Sequence, residues 1–198
     1  GQGERAFYDI VKRMEKGENF EGIPGVHWKQ EGKFYSNPDR ILEDINNMPP
    51  IPYHLVDFEK CFIEMEYGSR TVNYVSSYGC PLRCRFCCEQ TVNKRRWTGL
   101  NAEAVLDDLQ RLEKVFKVNG VFISDTNFFV DINRIKAILA GMLKRGLTLR
   151  LGSILGRAKQ LADSDGEFWE LMQKTRCYSI STGAESGDDE TLQLINKD

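Results

Sequence analysis

The 198-residue sequence lacks several features that would assign it to whole classes of protein. It has no run of 18 apolar residues, so we expect no transmembrane helix. No basic segment followed by an apolar one opens the chain, so we expect no signal peptide. The formal net charge is only −2, from 27 basic and 29 acidic residues, and this balance does not support a nucleic-acid-binding surface. Together these absences predict a cytoplasmic protein.

Histidine is scarce, and disulfide-like cysteine spacing is absent. The two histidines, His27 and His54, lie far from the cysteine-rich segment. The six cysteines are Cys61, Cys80, Cys84, Cys87, Cys88 and Cys177. Four of them fall within nine residues, whereas disulfides usually close longer loops. Without a secretory signal, we expect this cluster to bind metal in a reducing compartment.

Residues 1–70 have the irregular pattern of a connector. A short helix is predicted over residues 6–14, and two extended pieces at 26–28 and 33–35 could pair as a hairpin. The proline-rich segment 48–52 cannot lie inside a helix. We therefore interpret residues 1–70 as an α+β connector and residues 71–198 as a separate, regular domain.

From residue 71 the pattern alternates between strands and helices. Strands are predicted at 72–76, 121–124, 147–155 and 177–182, and helices at 101–116, 132–144, 164–174 and from 188. Asn101 is a predicted N-cap, Gly146 a predicted helix end, and Ser164-x-x-Glu167 a predicted capping box. Such alternation is typical of a parallel sheet, which either stays open or curls toward a barrel. A full eight-unit barrel takes about 250 residues, so four units and the missing initiator Met predict a fragment.

Polar residues recur where the predicted strands end. Cys80, Cys84 and Cys87 follow the first strand. The later strands are followed by Asp125 and Asn127, by Arg157, and by Glu185. Both open sheets and barrels place functional groups at the carboxyl ends of their strands, so we expect these side chains to meet in one pocket.

Three closely spaced cysteines leave two metal chemistries to consider. A structural zinc site uses four ligands, usually as two pairs, and the chain has no second cysteine pair. An iron–sulfur cluster with one open iron needs only three thiolates. The ligand count favours the cluster, and a zinc-stabilised structural or binding module is the alternative. A plain nucleotide-binding domain is disfavoured because no glycine-rich loop follows a strand.

Two segments resemble the radical S-adenosylmethionine (SAM) superfamily: Cys80-x-x-x-Cys84-x-Phe86-Cys87 and Gly183-Ala184-Glu185-Ser186-Gly187. The resemblance implies an α/β fold, a partial (β/α) barrel of six units, of which this chain would carry about four. It implies that Cys80, Cys84 and Cys87 bind a 4Fe–4S cluster whose open iron takes SAM. Reductive cleavage of SAM would then give a 5′-deoxyadenosyl radical that activates a substrate.

The resemblance also implies SAM contacts, and no catalytic residue beyond the cluster and the SAM site. The backbone at Phe86 would contact the adenine, Asp125 the methionine amino group and Glu185 the ribose hydroxyls, and Gly183 is also implied as a SAM-binding residue. Arg157 could pair with the methionine carboxylate. The structural alternatives are a core aromatic for Phe86, a solvated carboxylate for Asp125 and a surface cation for Arg157. The remaining cysteines, Cys61, Cys88 and Cys177, are predicted to be small packed side chains.

The first third of the chain resembles a narrower group, the radical SAM proteins that carry an N-terminal cobalamin-binding domain. The resemblance rests on Gly1-Gln2-Gly3-Glu4, Ile23-Pro24-Gly25-Val26 and Met48-Pro49-Pro50-Ile51-Pro52-Tyr53. Gln2 stands where this group usually has Glu, and the cobalamin-ligating Asp-x-His-x-x-Gly run is not in the chain. Cobalamin is therefore implied for the full-length protein, with cobalamin-assisted methyl transfer as one candidate reaction.

A basic run with an aromatic residue, Lys94-Arg95-Arg96-Trp97, follows the cysteines. It could dock an acidic electron donor or an RNA, and a solvated loop is the simpler interpretation. The family resemblance implies a reduced flavodoxin- or ferredoxin-type donor. The sequence does not indicate the substrate.

Overall fold

The computed structural model describes residues 2–197, which form two compact units that divide between Glu43 and Asp44. Residues 44–70 cluster with the regular domain, so this division lies earlier in the chain than the predicted change at residue 70. That residues 1–70 connect to a cobalamin-binding domain stays a prediction.

The first unit contains the predicted helix and hairpin. Helix α1 covers Glu4–Glu15, and strands β1 (His27–Gln30) and β2 (Lys33–Ser36) pair antiparallel. The two residues between the strands, Glu31 and Gly32, both have positive φ, at 49° and 79°. This backbone matches the right-handed twist of the flanking strands, and it explains the tight hairpin.

The second unit holds the predicted strand–helix alternation. Its strands are β3 (Ile63–Met65), β4 (Gly68–Tyr74), β5 (Ser77–Gly79), β6 (Trp97–Gly99), β7 (Gly120–Ile123), β8 (Arg150–Gly152), β9 (Ile154–Gly156) and β10 (Ile180–Thr182). Its helices are α2 (Glu89–Val92), α3 (Ala102–Lys114), α4 (Ile132–Lys144), α5 (Ala158–Ala162), α6 (Gly166–Lys174) and α7 (Asp189–Leu194). Single 3₁₀ turns cover Ile45–Asn47, Tyr53–Leu55, Phe58–Cys61 and Phe128–Val130. None of the described helices is long and apolar enough to cross a membrane.

The main sheet has the order β3-β4-β7-β8. Strand β3 is an antiparallel edge, whereas β4, β7 and β8 are parallel. Strands β9 and β10 form a second parallel pair. The parallel strands are joined by crossovers that contain helices, and this is the arrangement of a partial (β/α) barrel. The structure therefore confirms the predicted fold.

The core lies between the sheet and its helices. Alternate residues in the strands, or directly before one, are fully or almost fully buried: Val72, Tyr74, Val121, Ile123, Leu149 and Leu151. The facing helices contribute Leu106, Leu109, Leu112, Ile135, Ile138, Leu139, Met142 and Phe168. Gly141 lets α3 and α4 pack closely, because a Cβ there would overlap the side chain of Leu106. This core holds the strand ends, and therefore the site, in place.

The structure corrects three details of the predicted elements. The long strand 147–155 is two short strands, because Ser153 has a left-handed φ of 54° and breaks the ladder. The predicted capping box at Ser164 is wrong, since Asp165 is the N-cap and accepts a hydrogen bond from the Phe168 backbone at 2.9 Å. Helix α5 was not predicted, because five residues are too few to show a helical period.

Candidate functional site

The cysteine loop is closed at its base by a short antiparallel pair. Strands β5 and β6 join the two ends of the loop, with Gly79 opposite Trp97. Gly79 has a φ of 81°, and a Cβ at this position would overlap the backbone carbonyl oxygen of Arg96. Glycine is therefore required at the residue directly before Cys80. The loop follows β4, as predicted, at the carboxyl end of the parallel sheet.

All three predicted ligand cysteines carry free thiols that are half-buried in this loop. The Cys87 N–H donates to the Cys84 carbonyl at 3.1 Å, and the Gln90 side chain donates to the same carbonyl at 2.5 Å. The buried Asn127 amide donates to the Cys80 Sγ at 3.7 Å. Because the Asn127 Oδ1 accepts from the Phe129 N–H at 3.0 Å, its Nδ2 is the atom that faces the sulfur.

Within residues 2–197, no three His, Cys, Asp or Glu side chains come close enough together to hold a single metal ion. A structural zinc site needs four ligands around one ion, each thiolate about 2.3 Å from it. In an iron–sulfur cluster each thiolate binds its own iron, so the sulfurs are spread more widely. The donor set, three free thiols in one loop, fits a cluster that needs three thiolates.

The other cysteines differ in their surroundings. Cys61 and Cys88 are exposed, so the prediction that they are packed side chains is wrong for both. Cys88 lies at the start of α2, where its carbonyl accepts from the Thr91 N–H at 2.8 Å. Cys177 packs against the core, and burial raises the pKa of its thiol to about 11.

Asp125 lies at the end of β7 but is only 2% exposed. Its Oδ1 accepts from the Ser76 N–H, and its Oδ2 accepts from the hydroxyls of Ser76 and Ser77, each at 2.6 Å. The buried Arg134 of α4 donates through Nη2 to the Ser76 carbonyl at 3.0 Å and to the Ser76 hydroxyl at 2.9 Å. The structure thus gives both Asp125 oxygens protein partners, where the sequence predicted a SAM contact or a solvated carboxylate.

Three other predicted site residues lie around a residue that sequence reasoning missed, Lys197. The Lys197 Nζ donates to the Glu185 Oε1 at 2.7 Å and lies 5.7 Å from the centre of the Phe86 ring. Gly183 leaves room for this pair, because a Cβ there would overlap the Glu185 carboxylate. Glu185 has a left-handed φ of 63°, a strained conformation that is common at functional sites. Phe86 is 56% exposed, so it is not a core aromatic.

The segment after α7 is bound directly to the cysteine loop. The Arg85 N–H donates to the Ile195 carbonyl at 2.9 Å, and the Asn196 side chain donates to the Arg83 carbonyl at 2.8 Å. These bonds explain how Lys197 reaches Phe86. The sequence carries no local signal for this contact, because more than 100 residues separate the two segments.

Arg157 directly follows β9 and is only 9% exposed, so the surface-cation interpretation does not hold. Its backbone N–H donates to the Gln160 Oε1 at 3.1 Å. The Gln160 Nε2 in turn donates to the Phe129 carbonyl at 3.0 Å, which ties this strand end to the 3₁₀ turn that follows β7. Arg157 therefore lies at the carboxyl edge of the sheet, as predicted.

The fold and the site define a class: a partial (β/α) barrel with a three-cysteine loop after its first parallel strand. A sequence model of the family described as the Radical SAM superfamily matches residues 74–198, which is more than half of the chain. The chain belongs to the radical SAM superfamily.

Curated relatives match the whole chain at low identity. An uncharacterized methyltransferase of Pyrococcus horikoshii is 24% identical over 201 residues, which cover 100% of this chain and 42% of the relative. The hopanoid C-3 methylase of Methylococcus capsulatus is 24% identical over 203 residues, which cover 100% of this chain and 36% of the relative. The chain thus spans about two fifths of the length of these relatives.

Solved structures show the same fold. The cobalamin-dependent radical SAM enzyme OxsB matches with a TM-score of 0.75 and 22% identity, over 99% of this chain and 29% of that chain. The radical SAM methyltransferase TsrM from Kitasatospora setae matches with a TM-score of 0.74 and 19% identity, over 97% of this chain and 38% of that chain.

Proposed function

We propose that this protein is a radical SAM enzyme in which Cys80, Cys84 and Cys87 hold a 4Fe–4S cluster. The single observation that carries the proposal is the placement of three free, half-buried thiols in one loop at the carboxyl end of the first parallel strand. When bound and reduced, such a cluster supplies the electron that cleaves SAM. Membership of the superfamily supports this chemistry.

The residues that would hold SAM are Phe86, Arg157, Gly183 and Glu185. Glu185 can accept hydrogen bonds from both hydroxyls of a ribose diol, and Gly183 leaves space beside it. The exposed Phe86 offers a backbone and a ring for the adenine. The guanidinium of Arg157 suits the methionine carboxylate, as a bidentate partner. The predicted contact of Asp125 with the methionine amino group stays a prediction, and the three short hydrogen bonds that its oxygens already accept do not favour it.

We propose cobalamin-dependent methyl transfer as the reaction of the full-length protein. The relatives that match this chain over its whole length are named as methyltransferases or a methylase. The matching structures include the cobalamin-dependent OxsB and a TsrM structure with cobalamin bound. The cobalamin itself would bind outside this chain, because no Asp-x-His-x-x-Gly run is present.

The electron donor is proposed to be an acidic flavodoxin- or ferredoxin-type protein. The segment between β5 and β6 carries five exposed basic residues: Arg83, Arg85, Lys94, Arg95 and Arg96. Complementary charge accelerates association and is screened by salt. Reversing Arg95 and Arg96 to Glu should slow cluster reduction by flavodoxin and leave reduction by dithionite unchanged. Lys144→Glu, at the exposed end of α4, is the control, and equal slowing by both variants would refute this role of the segment.

The enzyme proposal is tested by SAM cleavage. The protein is loaded anaerobically with iron and sulfide, reduced with dithionite and incubated with SAM, and 5′-deoxyadenosine is measured. We expect product from the wild type and from Cys88→Ala, and none from Cys80→Ala, Cys84→Ala or Cys87→Ala. If the protein instead takes up zinc without sulfide and makes no product, the zinc alternative replaces this one.

A further inference from the structure

We propose that Asp125 is a positioning residue that sets the base of the cysteine loop through Ser76 and Ser77. The proposal rests on the proposed function for the identity of the cofactor, but its evidence is separate. Asp125 makes no described contact with a cysteine, yet it is among the most buried charged residues of the chain. A carboxylate is costly to bury, and it is retained where hydrogen bonds compensate the lost hydration.

The hydrogen bonds of Asp125 are of the strong, charge-assisted kind. Three donors lie 2.6 Å from its two oxygens: one backbone N–H and two hydroxyls. Such bonds are shorter and about twice as strong as neutral ones. A neutral side chain could not accept all three without leaving a buried donor unpaired, which is itself costly. The geometry therefore explains why a carboxylate occupies this position.

Arg134 completes the network from the opposite side. Burial lowers the pKa of this guanidinium, and the nearby Asp125 charge opposes that effect. Ser76 lies between the two charges, because its hydroxyl donates to Asp125 and accepts from Arg134. A helix residue and a strand-end residue are thus joined through one serine, and the serine is held from both sides.

The network reaches both ends of the cysteine loop. On one side, Ser77 begins β5, three residues before Cys80. On the other side, the Arg134 Nε donates to the Leu100 carbonyl at 2.5 Å, and the Leu100 N–H donates to the Ser76 carbonyl at 2.9 Å. Residues 76–77 and residue 100 are therefore fixed to each other and to β7 and α4. Movement of Asp125 would be transmitted to the position of the first cysteine.

This role predicts effects that a direct SAM contact would not cause. If Asp125 only touched SAM, changing it would leave the metal-free cysteine loop unaltered. If Asp125 positions the loop, its loss should expose Cys80 to alkylation before any cofactor is added. Ser77→Ala should produce a weaker version of the same change, although Ser77 itself is only 2% exposed.

The test compares Asp125→Asn with Asp165→Asn. Asp165 is a helix N-cap on α6, where Asn serves as well as Asp, so this control should behave as wild type. For Asp125→Asn we expect about tenfold faster alkylation of Cys80 in the apo protein, because the change removes the charge from all three hydrogen bonds and leaves one buried donor unpaired, which costs at least about 1.4 kcal/mol. After reconstitution, we expect Asp125→Asn either to hold fewer irons per chain than the wild type or to need a higher SAM concentration for the same change in its electron-paramagnetic-resonance signal.

Each outcome decides the proposal. Wild-type alkylation of Cys80 in Asp125→Asn would overturn it, whatever the SAM response, because a direct SAM contact alone would also leave the apo loop unchanged; this holds even if the wild-type protein binds a cluster as proposed. If Asp125→Asn does not fold, Ser77→Ala removes only one of the three hydrogen bonds and takes its place, with an expected effect of about threefold. Alkylation of Cys80 at the wild-type rate in Ser77→Ala would then overturn the proposal.

Discussion

Replacing Gly79 by Ala tests whether the cysteine loop depends on the backbone that leads into it. Alanine pays about 1–2 kcal/mol for a left-handed backbone, and Gly79 has a φ of 81°. The new Cβ would also lie much less than 3.0 Å from the Arg96 carbonyl oxygen. Real Cβ atoms essentially never make contacts shorter than 3.0 Å. Overpacking of this kind costs about 1–3 kcal/mol. We therefore expect the free energy of unfolding to fall by about 2–5 kcal/mol.

A matched control separates the two causes. Gly146 also has a positive φ, 63°, but nothing lies within 4 Å of a Cβ built there. Gly146→Ala should therefore cost only about 1–2 kcal/mol and leave iron uptake unchanged. Urea unfolding of both variants gives the energies, and iron and sulfide per chain after reconstitution give the effect on the loop. Equal energies, or full iron loading in Gly79→Ala, would refute the reasoning.

Three further predictions concern Asn127, Lys197 and Cys177. Asn127→Leu removes the hydrogen bond to the Cys80 sulfur and should lower the reduction potential of the cluster, measured by redox titration; an unchanged potential would contradict the contact. Lys197→Met should free the Glu185 carboxylate and change the SAM concentration needed for the spectroscopic response, whereas an identical titration would show that Lys197 plays no part at the site. Burial raises the pKa of Cys177 from 9 to about 11, so its contribution to stability is complete below pH 9 and is lost as the pH rises through 11, by about 2–3 kcal/mol. Unfolding curves from pH 8 to 11 should show this loss in the wild type and not in Cys177→Ala, and parallel curves would refute it.

The regular elements were predictable where a local pattern specifies them. Helix α4 was predicted at Ile132–Lys144 and is observed there, because its apolar face repeats with a helical period and Gly146 ends it. The strand after it was predicted as one piece, since nothing in the local pattern announces the left-handed φ of Ser153. Local sequence patterns therefore predict where a helix or strand lies, but they do not predict a break within it.

The candidate site was predictable only in part. Cys80, Cys84 and Cys87 are recognisable because their spacing is local. The role of Asp125 depends on Arg134, which lies on a different element and meets it only through Ser76. Lys197 reaches the site across a contact between the cysteine loop and the end of α7. The sequence predicts which residues follow the carboxyl ends of the strands. It does not predict which partners each polar side chain contacts, because those partners are brought close only by the packing of separate elements.

The central claim is that three protein thiolates hold the cluster and leave one iron for SAM. Mössbauer spectroscopy of the reconstituted protein tests it most directly, because it resolves the individual irons. The account predicts a 4Fe–4S spectrum in which SAM changes the signal of one iron, in the wild type and equally in Cys88→Ala. A spectrum that SAM leaves unchanged, or a cluster that Cys88→Ala abolishes, would contradict it.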